Sequence, residues 1–381
     1  MQETQKELAY KVVEKEIRKR ITGKKYKPGH KLPTERDLAK EFSISRLTIA
    51  KGLSNLAAAG YITRTRGRGS FVCPELPAEA TSRRSNSDGI IKYISPGFTG
   101  QSSPVSYGIL EGIHSMMTAA RSHIGVEFYT TVKEQLKMLE TYRSEINDGM
   151  VIWPAMDKSL VPILQQMQDD NFPFVLVDMY IPEFKCDYII SDNCLGSEIM
   201  INYLVDNGHR NISYFTATPD RVSLSERMSG VVSGLSKHGL PVTSNTINVI
   251  PGDDKVVNSY RSSQNIAYLR NRLAELLNSS NAPTAIYCSN DWIAMTIYSI
   301  LEEMGVKVPE QVSLAGYDNI DAAQYFRVPL TTVSQNFFEM GQLAAKVLIS
   351  RRQNPVSHEG MMMQQRVKPE LVIRDSVTKL I

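Results

Sequence analysis

A chain of 381 residues is longer than one ordinary hydrophobic core supports, so two or three domains are expected. With 42% hydrophobic and 22% charged residues, four scattered cysteines (Cys73, Cys186, Cys194 and Cys288) and no run of about 18 apolar residues, the composition excludes a disulfide scaffold, a paired-cysteine zinc site and a helical membrane span. The net charge of +3 conceals a division: residues 1–84 hold 19 Lys and Arg against 9 Asp and Glu, net +10, and the remainder holds 24 against 31, net −7.

Leu8, Val12, Val13, Ile17 and Ile21 recur at helical spacing, which predicts an amphipathic helix over 4–22 ending at Gly23. This opening stretch is charged throughout, unlike a signal peptide, so a cytoplasmic location is expected. After a Pro28-Gly29 turn, Thr34 and Asp37 make a capping-box start for a short helix through Glu41. Ser45 caps a third helix, whose Ile49, Leu53 and Leu56 share one stripe and which Gly60 ends. Residues 61–66, Gly67-Arg68-Gly69 and Ser70-Phe71-Val72 then read as strand, turn and strand. Three helices and a hairpin in this order predict a winged helix-turn-helix over residues 1–74.

Residues 75–88 are rich in Pro, Ala, Ser and Asn and read as a linker. Beyond them short apolar runs alternate with helical patterns: IIKYIS (90–95), VEFYTT (126–131), GMVIWP (149–154), FPFVLVD (172–178), ISYFT (212–216), INVI (247–250), AIYCS (285–289) and VSLAGY (312–317). The alternation predicts parallel sheets covered by helices, and its length predicts two α/β lobes.

A module of net +10 gains affinity for DNA by displacing counterions, which is salt-dependent and largely indifferent to sequence. Specificity requires side chains at base edges. The start of the third helix offers Arg46 to guanine O6 and N7, Thr48 to a base or phosphate, and Lys51 to phosphate. Arg66 and Arg68 flank a glycine tip suited to a narrow minor groove. The plain alternative is a solvated basic face.

The runs Leu32-Pro33-Thr34-Glu35-Arg36-Asp37-Leu38-Ala39, Ser45-Arg46-Leu47-Thr48-Ile49, Gly60-Tyr61-Ile62 and Arg66-Gly67-Arg68-Gly69-Ser70-Phe71-Val72 resemble the GntR family of bacterial repressors. The resemblance implies operator contacts by Arg36, Ser45, Arg46, Thr48, Arg66 and Gly67. Ala50 followed by Lys51 departs from the arginine common in that family two residues after Thr48, so the operator sequence is left open.

The remainder resembles the LacI/GalR effector domain in Ser191-Asp192-Asn193-Cys194-Leu195-Gly196, Asn207-Gly208-His209-Arg210-Asn211-Ile212, Arg227-Met228-Ser229-Gly230, Ser289-Asn290-Asp291, the stretch from Val308 to Asp318, and Pro329-Leu330-Thr331-Thr332-Val333. This implies a two-lobed α/β fold of the periplasmic-binding-protein type over 89–381. Lobe 1 is expected at about 89–193 and 319–352, and lobe 2 at about 194–318 and 353–381.

Adjacent sugar hydroxyls pair with carboxylates and arginine forks while an aromatic ring covers the apolar face. Arg227 and Asp291 match the family's ligand-contacting pair, and Asp178 a first-lobe contact. Trp153 and Trp292 either stack on a sugar ring or pack in the core. Tyr107 follows the loop Pro96 to Pro104 in the family's first cleft segment. Asp192, Asn193 and Asp318 are read as organising the lobe crossings, with Asp318 also a candidate ligand contact, and His209-Arg210 as a structural turn.

The expected partners are double-stranded operator DNA, a monosaccharide or related effector, and a second copy of the chain, with neither metal nor cofactor nor membrane. A catalytic reading finds no Gly-x-Ser-x-Gly elbow, no Gly-x-x-x-x-Gly-Lys loop and no Gly-x-Gly-x-x-Gly after a strand, and an exported sugar receptor would need a signal peptide. A ligand-responsive, non-enzymatic repressor is the expected function.

Overall fold

The computed structural model describes residues 10, 12–14, 16–18, 20–21, 25–58, 60–65, 69–74, 90–98, 101–102, 104–119, 122–143, 148–219, 221–251, 262–353 and 362–380. The chain divides into two compact units, Met1–Ser87 and Asp88–Ile381.

In the first unit, the helical residues between 10 and 21 bury Val13, Ile17 and Ile21. Val12, expected on the same stripe, is exposed, because successive helical residues lie about 100° apart and only Val13 keeps the spacing of Ile17 and Ile21; Leu8 lies outside the described residues. Helix α1 (Glu35–Glu41) starts with the expected capping box: the Asp37 amide donates to Thr34 Oγ1 at 3.2 Å, and the Thr34 amide donates back to the Asp37 carboxylate at 3.3 Å. Helix α2 (Arg46–Ala58) is capped by Ser45, whose Oγ accepts from the Thr48 amide at 3.2 Å. Its Ile49, Leu53 and Leu56 join Leu38, Tyr61, Ile62 and Val72 in one core. Strands β1 (Ile62–Thr65) and β2 (Gly69–Val72) pair antiparallel as the wing, while the tip residues Arg66, Gly67 and Arg68 lie outside the described residues.

The second unit is built on two parallel sheets. The first carries β3 (Ile90–Phe98), β5 (His123–Tyr129), β6 (Gly149–Ile152), β7 (Phe174–Val177), β8 (Tyr188–Ser191) and β14 (Gln364–Val367), with the short β4 (Gln101–Ser102) turned back antiparallel on β3. The second has the order β10 (Ile247–Ile250), β9 (Ile212–Ala217), β11 (Ala285–Cys288), β12 (Ser313–Ala315). Strands β6, β7 and β11 are buried at every position, as expected of parallel strands covered on both faces. On the first sheet the cover includes α3 (Pro104–Ala119), α4 (Val132–Glu140) and α5 (Val161–Asp169), whose Leu139 and Leu164 share a core with Met150 and Leu176.

The chain passes between sheets three times. It enters the second through α6 (Asn193–Asp206) and there adds α7 (Val222–Lys237), α8 (Ser263–Leu277) and α9 (Asp291–Glu303). It returns through α10 (Phe337–Gln353), contributes β14 to the first sheet, and ends beside the second, where β15 (Glu370–Val372) pairs antiparallel with β13 (Thr332–Ser334). The lobe boundaries therefore differ from those expected. Residues 319–334 stay with the second sheet, since Thr331 bridges Ala315 and Ser334 bridges Asp318, and 364–367 belong to the first. The second difference has a local cause: Gln364-Gln365-Arg366-Val367 is a polar edge strand that leaves no apolar run to recognise.

Helices α3 and α10 pack backbone to backbone. A β-carbon on Gly112 would collide with the Phe338 carbonyl oxygen, and one on Gly341 with the Ile109 carbonyl oxygen. Gly112→Val should part these helices, lowering stability by about 3 kcal/mol and the melting temperature by about 8 °C. An unchanged thermal unfolding curve would show that the crossing is looser than described.

Candidate functional site

In the first unit, Arg36 lies exposed on α1 and Ser45, Arg46 and Lys51 lie exposed at the start of α2. Arg46 is 74% exposed, and its Nε donates to Glu35 at 3.1 Å. Glu35 also holds Arg64 of β1, which donates a further hydrogen bond to the Ala50 carbonyl at 3.2 Å. Arg64 was not singled out by sequence reasoning, although alternation along Thr63-Arg64-Thr65 places it on the wing. Lys51 stacks its ammonium 4.3 Å from the Tyr10 ring centre. Thr48 is placed differently from the others: it is buried, and its hydroxyl lies 2.8 Å from Ser45 Oγ inside the cap.

In the second unit, the candidate residues come from the C-terminal ends of parallel strands, the usual ligand edge of such sheets. The centre is Arg227, on α7 and only 5% exposed. A buried guanidinium is tolerable only when its donors are matched. Its Nε donates to Asn193 Oδ1 at 2.9 Å, and its Nη1 donates to the Ser289 carbonyl at 2.5 Å and to Asp318 Oδ1 at 3.1 Å. The guanidinium also lies 3.9 Å from the centre of the Tyr317 ring. Among the described residues Nη2 has no hydrogen-bond partner.

Of the two residues expected to contact ligand, Arg227 pairs with the carboxylate of Asp318. Asp291 is fully buried at the start of α9, with Oδ1 accepting from Thr332 Oγ1 at 2.7 Å and Oδ2 from the Ile320 amide at 2.9 Å. Burial, reinforced by the neighbouring Asp318, pushes its carboxyl up to about 8. It ties the second sheet to the segment that leaves it. Asp318 adopts a left-handed backbone (φ 110°) and also accepts from Gln335 Nε2 at 2.6 Å. Burial raises its carboxyl pKa, and Arg227 opposes that rise.

Asp178, just past β7, is likewise left-handed (φ 67°) and buried. Burial pushes its carboxyl up to about 7, against the pull of Arg227 and Arg221 and with the help of Asp318. No hydrogen bond to this carboxylate forms among the described residues. Arg221, which precedes α7, was missed by sequence reasoning; it lies close enough to bias both Asp178 and Tyr129. Its position in the loop after β9 was the available signal, since that loop also opens at a strand's C-terminal end.

Of the remaining candidates, Tyr107 is exposed on α3 and Trp292 is partly buried against the main core. Trp153 is buried in that core with its indole Nε1–H unpartnered among the described residues. The expected structural turn holds: His209 is buried between Thr284 Oγ1 at 2.9 Å and the Thr378 carbonyl at 3.0 Å.

One network links the sheets. Arg366 of β14 meets Glu226 of α7 with two hydrogen bonds at 3.1 and 2.7 Å, Glu226 accepts from Asn193 Nδ2 at 3.3 Å, and Asn193 accepts from Arg227. Arg227 is thus linked through Asn193 to a bidentate pair between lobes.

The first unit matches the family model for bacterial regulatory proteins, gntR family, over residues 9–72, and residues 201–377 match the periplasmic binding protein-like domain. The chain is 32% identical over 249 residues to the HTH-type transcriptional repressor PurR of Photobacterium profundum, covering 65% of this chain and 69% of that protein. It is 25% identical over 377 residues to the arabinose metabolism transcriptional repressor of Geobacillus stearothermophilus, covering 97% of this chain and 98% of that protein. The crystal structure of a LacI family transcriptional regulator from Enterococcus faecium with bound ribose superposes with a TM-score of 0.62 at 25% identity, covering 77% of this chain and 100% of that one. The chain belongs to the bacterial transcriptional regulators that join a gntR-family DNA-binding head to a periplasmic-binding-protein-like, ligand-binding body.

Proposed function

We propose that this regulator is a cytoplasmic repressor that binds a pseudo-palindromic operator as a homodimer and is released by a small carbohydrate held between its lobes. The observation that carries this reading is the open half of the Arg227 fork together with the unpartnered Asp178 carboxyl. A guanidinium edge and a carboxyl at the ends of parallel strands suit vicinal hydroxyls, which accept from one and donate to the other. The ribose bound to the Enterococcus faecium relative and the arabinose repressor from Geobacillus stearothermophilus support a sugar as the effector class.

A single winged helix reads only a half-site, so two heads are needed for a pseudo-palindrome. Effector binding that favours one arrangement of the lobes changes operator affinity by the coupling energy, typically about 1–3 kcal/mol. A thermal-shift screen of pentoses, hexoses, deoxysugars and their phosphates tests the effector class directly, since a ligand selective for the folded state raises its melting temperature. At least one sugar should do so for the native chain and not for Arg227→Ala, while Arg227→Ala still binds operator. Retained induction by that variant would remove Arg227 from the effector site.

The carboxyl of Asp178 carries a pH prediction. Its folded-state pKa is raised to about 7, so the stability it contributes is complete below about pH 4, near the unfolded value, and is lost as pH rises through 7. Asp291 acts with the same sign up to about 8. The melting temperature should therefore fall between about pH 5 and about pH 8, and Asp178→Asn should flatten that fall. A profile rising over the same interval would contradict the assigned direction.

A further inference from the structure

The outward face of α2 is not uniformly basic. Leu47 is 83% exposed, more than any other large hydrophobic side chain among the described residues. Thr48 and Ile49 turn inward, and the residues one turn on from Leu47 along the same face are the half-buried Ala50 and the exposed Lys51. Glu35 draws Arg46 and Arg64 together beside α2. The start of α2 thus presents one uncovered leucine next to Arg46 and one turn before Lys51.

We propose that Leu47, supported by Ala50, is the residue through which the head reads the methyl group of a thymine in each operator half-site, near the base pair engaged by Arg46. This inference rests on the DNA-binding role stated above. Base edges in the major groove display hydrogen-bonding groups and one apolar group, the thymine C5 methyl, so an uncovered leucine on a groove-facing turn has one complementary target. Charge identifies DNA as the occupant. A leucine next to Arg46 and one turn before Lys51, in a head of net +10, complements a groove lined by phosphates and not an apolar protein face. The Thr48 hydroxyl is held by Ser45, which shifts base discrimination onto Arg46 and Leu47.

Operator duplexes are first selected from a random-sequence pool by repeated binding to the full-length protein. Each thymine of the selected site is then replaced singly by deoxyuridine, which pairs identically and lacks only the methyl group. One position per half-site should weaken binding by the native chain about fourfold, the loss of one buried methyl group. Leu47→Ala should bind the thymine duplex about as weakly as the native chain binds the deoxyuridine duplex, and should show no further loss at that position. Because Leu47 is exposed, an unchanged melting temperature should accompany the variant. If no deoxyuridine weakens native binding, or if Leu47→Ala retains the full penalty, methyl readout by Leu47 is overturned. If no sequence is enriched at all, the DNA-binding reading fails and the inference with it, which is a distinguishable result.

Discussion

The body of this regulator depends on keeping one guanidinium out of water. Arg227 is buried, and a buried cation is stable only if its surroundings are arranged around it. Asn193 at the first lobe crossing, Asp318 after β12 and the Ser289 carbonyl after β11 each supply an acceptor, and Tyr317 supplies a ring face. These groups come from separate stretches of the chain, so the arginine fixes how the strand ends meet. The same arrangement leaves Nη2 without an acceptor among the described residues, the feature on which the proposed effector site rests.

That requirement connects binding to lobe position. Asn193 shares itself between Arg227 and Glu226, and Glu226 holds Arg366 of the opposite sheet. A ligand that alters the demand of Arg227 for acceptors acts on a chain of charge-assisted hydrogen bonds crossing between lobes. Two discrete arrangements of that chain would differ in how many acceptors the arginine keeps, which is the differential interaction any effector-driven shift requires. Left-handed backbones at Asp178 and Asp318 place strain at the same point.

Much of this was legible in the sequence. The eight apolar runs named from residue 90 onward all contain or overlap strands, and the helix order, caps and wing of the head follow from Thr34, Asp37, Ser45 and the glycines near residue 67. What local pattern could not supply was pairing across the fold. Asp291 and Asp318 both follow strands, both are buried, and nothing in their flanking residues tells which one meets Arg227. The choice depends on the turn after β12, where a left-handed Asp318 reaches Arg227 while Asp291 is occupied by Thr332 and the Ile320 amide. The strands β8 and β14 escaped for a related reason. The first has only Ile189 and Ile190 at its centre, and the second is a polar edge whose place is set by its neighbour.

If the Arg227 site holds the effector, it and the winged head are thermodynamically coupled. Calorimetric titration of the active sugar into the free protein and into the operator-bound protein measures this directly. Linkage requires the factor by which operator weakens sugar binding to equal the factor by which sugar weakens operator binding. Matching factors of about 5–150 are expected. Sugar affinity that is identical with and without operator would contradict this coupling.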